Sequence, residues 1–337
     1  MSLFETLLAE RRILLADGAT GTNFFAMGLE AGEAPDVWNV EAPEKVLALH
    51  RAFVEAGSDI ILTNTFGANR HRLKLHGLED RVVDLNEQAA RLARAEAEAA
   101  GRPVVVAGSV GPTGELFEPL GSLSYDGAVD AFAEQIEGLA AGGVDIVWIE
   151  TMSAPEEMRA AAAAATRCGM PYTLTASFDT AGRTMMGLAP AALDTLAETL
   201  EPHPAAFGAN CGVGASDLLV SVLAMTEADP QAIVIAKANC GVPHFEGENI
   251  VYSGTPELMA DYVRLAADSG ARIIGGCCGT SPEHVAAMRV ALDEYLTNEG
   301  ADRPRPDQDS IVARIGPLVS PPKEAGEPRT RTRRRRS

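Results

Sequence analysis

The sequence predicts an α/β fold: a (β/α)8 TIM barrel with a short C-terminal extension. Three observations carry the prediction. Eight short apolar runs with β-branched content recur along the 337 residues, as expected for strands buried on both faces. Each run is followed by an amphipathic stretch with helix punctuation at its ends. The order is always strand then helix, which fits parallel strands joined by crossover helices, and eight such units close into a barrel. An open doubly wound sheet is the competing architecture. "DGATGTNF" after the first run has Gly18 and Gly21 but lacks the third glycine of a dinucleotide fingerprint.

The runs are "RILLADGAT" from Arg11, "DIILTNT" (59–65), "VVVAGSV" (104–110), "DIVWIET" (145–151), "YTLTASF" (172–178), "AAFGANC" (205–211), "IVIAKANC" (233–240) and "RIIGGCC" (272–278). The helical stretches cover 43–57, 85–101, 126–143, 154–169, 191–200, 216–227, 255–270 and 281–296. "PEKVLALHRAFVEAG" opens on Pro43 and closes on Gly57, the usual start and stop residues of a helix. "TPEL" and "SPEH" place a hydroxyl N-cap before a first-turn proline. The barrel is assigned to residues 1–297. Residues 298–337 read as a Pro- and Asp-rich linker and a disordered Arg-rich tail, with "IVARIGPLV" (311–319) as a short strand or a partner-binding piece.

Formal net charge is −19, although the tail from Pro321 holds seven basic residues against two acidic ones. An acidic body argues against a nucleic-acid groove. No apolar run approaches the ~20 residues of a membrane span, and "MSLFETLLAERRILLADG" lacks the basic start and apolar core of a signal peptide. These features predict a cytoplasmic protein, and a homo-oligomer is compatible with them.

Five cysteines, Cys168, Cys211, Cys240, Cys277 and Cys278, do not have the spacing of a disulfide framework. Neighbours such as Cys277 and Cys278 pair poorly with each other. In a barrel the reactive rim is built at the carboxyl ends of the strands. There the runs end in Asp17 with Gly18, Asn64 with Thr65, Ser109, Glu150 with Thr151, Asp179, Asn210 with Cys211, Asn239 with Cys240, and Cys277 with Cys278. Three thiols, Cys211, Cys277 and Cys278, can meet on that rim as ligands of one Zn2+, leaving an open fourth position of the kind catalytic sites keep. Gly275, Gly276 and Gly279 let the backbone turn so that both adjacent thiols face the metal. A fourth protein thiolate would block the open position, so Cys240 is read as a rim residue outside the zinc shell and Cys168, near a helix end, as structural.

At these residues the chain resembles the homocysteine S-methyltransferase family. "GANCGVG" (208–214) and "GGCCGTSPEH" (275–284) look like its two zinc boxes, and "DGATGT" (17–22) like its N-terminal box. "DIILTNTF", "GSVGPTG" and "IET" resemble the remaining ones, so the likeness spans about Leu14 to Leu296. The resemblance implies a barrel that binds zinc through Cys211, Cys277 and Cys278 and makes methionine from homocysteine. It implies that Asp17 and Glu150 hold the substrate amine, with Gly18, Asn210 and Asn239 beside them.

The family's methyl donors are betaine, S-methylmethionine, or a methylcobalamin fed by methyltetrahydrofolate. The length of the chain and the absence of Asp-x-His make the expected donor a free small molecule, betaine slightly favoured, or a separate methyl-corrinoid protein. Trp38 could enclose a quaternary ammonium by cation–π attraction, with Thr65 nearby. The family's betaine enzymes carry a Tyr where this chain has Gly67. The competing classes are the homocysteine-activating subunit of a split cobalamin-dependent methionine synthase and a metal-free barrel lyase.

Overall fold

The computed structural model describes residues 2–246, 249–298 and 303–319; the Arg-rich tail lies outside them. Eight parallel strands form one sheet: β1 (Leu14–Leu15), β2 (Ile60–Leu62), β3 (Val105–Val110), β4 (Ile146–Met152), β5 (Tyr172–Ala176), β6 (Phe207–Cys211), β7 (Val234–Ala238) and β8 (Ala271–Gly276). Each pairs with its neighbour in chain order, and β8 returns to β1 through Leu14↔Ile273. A parallel bridge between Ala16 and Ile60 joins β1 to β2 and closes the barrel. Each predicted run became a strand.

The barrel helices are α1 (Pro43–Glu55), α2 (Val82–Ala99), α3 (Tyr125–Ala141), α4 (Pro155–Arg167), α5 (Pro190–Glu198), α6 (Ala215–Ala228), α7 (Pro256–Asp268) and α8 (Pro282–Thr297). Proline stands in the first turn of α1, α4, α5, α7 and α8, where its missing N–H costs nothing. Between β7 and α7 the chain inserts a two-stranded antiparallel hairpin, Pro243–Glu246 with Asn249–Tyr252.

Successive side chains on a strand point to opposite faces, and this alternation divides the core into two. Leu14, Ala16, Ile60, Leu62, Val105, Ala107, Ile146, Trp148, Ala206, Ile235 and Ile273 fill the barrel interior. Their chain neighbours Leu15, Ile61, Val106, Val147, Ile149, Leu174, Val234, Ala236 and Ile274 face outward and pack under the helices. A further helix, Leu3–Glu10, is held by a capping box between Ser2 and Glu5. Its Phe4, Leu7 and Leu8 join the interior cluster and cover the end of the barrel opposite the rim.

Residues 311–315 of the 311–319 segment lie in a helix, Gln308–Ile315, instead of a short strand. Its apolar anchors Ile311 and Ile315 are four apart, so they lie one above the other on a helix, and both are buried against α6 and α7. Asp307 caps it by accepting from Ser310 N–H, and Arg314 pairs with Asp261 at 2.9 Å. Its apolar face is therefore spent on the chain's own barrel. Ile311→Ala should lower stability by about 2 kcal/mol, seen in urea as an earlier midpoint at unchanged slope.

Candidate active site

Above the apolar interior, the same alternation turns a layer of polar side chains inward. Ser109 of β3, Glu150 of β4, Thr175 of β5, Asn210 of β6 and Lys237 of β7 continue the inward positions of their strands, and all are buried. They bond to one another. Ser109 Oγ donates to Glu150 Oε1 at 2.5 Å, and Asn210 Nδ2 lies 3.5 Å from Glu150 Oε2. Thr175 Oγ1 donates to Asn210 Oδ1 at 2.7 Å. Lys237 Nζ donates to Asp17 Oδ1 at 2.8 Å.

Cys211, Cys277 and Cys278 stand over this layer. Their sulfurs all lie within 4.8 Å of one another, with Cys211 and Cys278 at 4.0 Å. Tetrahedral zinc at ~2.3 Å from each sulfur sets them about 3.8 Å apart, so the donor set fits one zinc ion. Cys211 at the end of β6 has φ +61°, and Gly212 and Gly279 also take positive φ. A Cβ at Gly279 would run into the Tyr252 ring at 2.4 Å, so the glycine admits the hairpin to the site. Tyr252 hydrogen-bonds Cys278, as do Cys211 and Cys277; the two thiol bonds contribute most to holding the Cys278 pKa down to about 3. Cys277 rises to about 12, and Cys211 rises further because Cys277 and Cys278 keep its proton in hydrogen bonds.

Two amides lock the rim. Asn210 Oδ1 accepts from Thr151 N–H at 2.8 Å and its Nδ2 donates to Thr151 Oγ1 at 2.7 Å. This holds Thr151 at φ +63°, a costly conformation for a β-branched residue, directly after Glu150. Asn239 Nδ2 donates to Gly212 O at 2.7 Å, and its Oδ1 accepts from Cys278 N–H at 3.1 Å. It ties the loop of the first thiol to the loop of the other two. Gly18 has a packing reason: a Cβ there would meet Thr280 O at 2.5 Å.

Asp17 is 2% exposed, and its Oδ2 accepts from Leu62 N–H at 2.7 Å. Glu150 is 7% exposed, and its pKa is pushed up to about 7, mainly by burial and against the pull of Lys237.

Thr65 and Trp38 make their contacts outside the three-thiol group. Thr65 is fully buried and donates to Ser109 O at 2.7 Å. Trp38 packs on Phe24 with centroids 4.9 Å apart, and Lys45 Nζ sits 4.1 Å from its ring centroid. A Cβ at Gly67 would approach Asp36 Oδ2 at 3.1 Å. Cys240 is buried and outside the three-thiol group, and Cys168 caps α4. Lys237 and Tyr252 did not emerge from the sequence reading. Lys237 carries a signal in hindsight, a charge at an inward position of "IVIAKANC". Tyr252 carries none, since the hairpin alone brings it to the thiols.

A closed barrel whose rim sets three thiols above buried carboxylates offers a donor set of the kind that can hold one metal ion. Residues 14–292 match the homocysteine S-methyltransferase family, and the chain belongs to it. It is similar to the methionine synthase of Mycobacterium tuberculosis, 29% identical in an alignment 332 positions long that covers 93% of this chain and 28% of that protein. The chain therefore spans little more than a quarter of that relative's length. Among solved structures it is similar to the homocysteine methyltransferase MmuM from Escherichia coli. The metallated form has TM-score 0.72 at 24% identity, covering 86% of this chain and 99% of that one. The apo form gives 0.67 at 23%, with the same coverage. These likenesses support the barrel fold.

Glu150 makes stability pH-dependent. Its folded pKa of about 7 lies above the ordinary glutamate value of 4.5, so the folded form binds the extra proton. The associated stability is complete below about pH 4.5 and is lost as pH rises through 7, by roughly 3 kcal/mol at most. In metal-free protein, Glu150→Gln should flatten the fall of Tm between pH 5 and about 8.

Proposed function

We propose that this chain is a zinc-dependent homocysteine S-methyltransferase that makes methionine, with Cys211, Cys277 and Cys278 as the zinc ligands. The convergence of three thiols within 4.8 Å above a buried carboxylate layer carries this reading. Zinc held by three thiolates offers a fourth position to a substrate thiol and keeps it as the nucleophilic thiolate at neutral pH. The chain's own residues then orient the substrate. Glu150 and Asp17 supply negative charge toward the amine, and Ser109 and Asn210 fix the Glu150 carboxylate. Asn239 sets the spacing between the two thiol loops. The methyl carbon of the donor has to lie in line with the sulfur, so the donor approaches from the open mouth above the thiols.

The donor reading rests on the rim. For betaine, the Trp38 face is already engaged by Lys45, and the Asp36 carboxylate stands beside Gly67. A second reading, a methyl-corrinoid protein as donor, is favoured by a different observation. Exposed apolar side chains stand on loops that follow the strands: Phe66 after β2, Leu116 and Leu120 after β3, Met185 and Met186 after β5. Exposed apolar side chains on loops at the carboxyl ends of the strands suit a protein surface better than a free small molecule.

Zinc-loaded protein given homocysteine with betaine, S-methylmethionine or free methylcobalamin in parallel separates the readings. Turnover with betaine supports a self-sufficient enzyme. Bound zinc and homocysteine without turnover on betaine or S-methylmethionine supports the protein-borne donor. Absence of homocysteine binding to the zinc form sinks the proposal. Metal analysis should find one zinc per chain, reduced at least tenfold by Cys211→Ala. Asn239→Ala, which removes the tie between the thiol loops, should weaken zinc affinity about 10–100-fold in a chelator competition.

A further inference from the structure

The end of the barrel opposite the thiols carries a cavity of about 490 Å³. It lies where the chain enters β1, β2 and β3, against α8. Four of its lining residues are arginines, Arg11, Arg12, Arg102 and Arg289, in a chain of net charge −19. Ile13 and Leu296 add an apolar wall.

Three of the arginines converge on one carboxylate. Asp59 is 2% exposed. It accepts from Arg11, from Arg289 Nη1 at 3.4 Å and from Leu15 N–H at 2.9 Å, and Arg102 Nη1 lies 3.9 Å away. One buried negative charge thus faces three guanidiniums. Asp293 takes Arg289 Nη2 at 2.5 Å, but from an exposed position, and Glu10 is exposed as well. Burial lowers the Arg102 pKa, Asp59 raises it, and Arg11 and Arg289 lower it again, as expected where cations outnumber their partner.

Arg102 is explained without a ligand. Its Nη2 donates to Val54 O and Ser58 O, carbonyls that the end of α1 leaves without helical partners. Arg12 and Arg289 have no such account. Among the described residues Arg12 pairs with no carboxylate, and its guanidinium stands 6.0 Å from the Tyr295 ring centroid. Arg289 Nε is buried and has no acceptor, a rare state for a buried donor. Gly57 makes room for this side chain: its φ is +99°, and a Cβ there would meet Arg289 Cγ at 2.6 Å.

We propose that this cavity is a binding site for a small phosphate-bearing anion, held by Arg11, Arg12 and Arg289 on the face of the barrel away from the thiols. Guanidinium forks match phosphate oxygens two at a time. The anion supplies the negative charge that Asp59 alone does not, and its organic part lies on Ile13 and Leu296. Asp59 also ties β1 to β2, since its N–H donates to Leu15 O while its carboxylate accepts from Leu15 N–H. An occupied site therefore braces the closure of the barrel. The site is independent of the homocysteine reading.

Calorimetry on zinc-loaded and metal-free protein, with inorganic phosphate, glycerol 3-phosphate and succinate at matched ionic strength, tests the assignment. One phosphate-bearing anion should bind per chain, equally with and without zinc, and more tightly than the dicarboxylate succinate. Arg289→Gln and Arg12→Gln should each weaken binding about tenfold. Added phosphate should raise the Tm of wild type more than that of either variant. Arg12→Gln leaves Asp59 with all its partners, so it decides the matter even if Arg289→Gln does not fold. Undiminished binding in a folded variant would overturn the proposal, as would wild type that binds no phosphate at millimolar concentration. Binding that requires zinc would place the anion at the thiols, and succinate bound as tightly as the phosphates would remove the phosphate assignment; either result overturns it too.

Discussion

Everything at the rim of this barrel depends on the two-residue alternation of closed, parallel strands. Once Ala16 and Ile60 join the ends of the sheet, each side chain either enters a tube with no edge or goes under a helix. A shift of one residue in any strand would exchange its inward and outward sets. It would send Glu150 or Lys237 into the apolar layer beneath the helices and bring Ile149, Thr151 or an alanine to the site. The apolar interior of Leu14, Ile60, Trp148 and Ile235 therefore positions the site as well as stabilising the fold. It holds the register on which the polar layer stands.

That polar layer is expensive to bury and is stabilised by mutual satisfaction. Burial opposes the charge on Lys237, and Asp17 restores it. Burial raises Glu150, and Ser109 and Lys237 pull against it. An ion pair in such a place contributes little net stability compared with apolar packing, but breaking it by removing one partner is costly. The pair therefore serves position more than stability: it ties the end of β1 to β7 beneath the rim.

The thiol cluster shows the same logic in its backbone. Cys211 and Thr151 both hold positive φ at strand ends, each a strained state of about 1–3 kcal/mol. Asn210 bonds both the Thr151 main chain and its hydroxyl, and Asn239 bridges Gly212 to Cys278. Amides from other strands thus hold the strain, and the three sulfurs stand within 4.8 Å of one another. Preorganisation of this kind is what a small, well-defined ligand set requires.

The sequence by itself determined the eight strands, their helices and the gathering of thiols and acids at strand ends. Those features are local: apolar runs, helix caps and adjacent cysteines are written in consecutive residues, and chain order alone decides which strand ends share a rim. The likeness of the "GANCG" and "GGCCG" segments to known boxes could be read the same way. The tertiary structure decided what depends on distant residues meeting. Lys237 reached Asp17 across 220 positions of sequence. Lys45 came to rest over Trp38, Tyr252 arrived beside Cys278 on a hairpin, and Ile311 folded as a helix against the barrel. No local pattern specifies such partners, because the energy of a buried charge or an aromatic face depends on what the closed fold places against it.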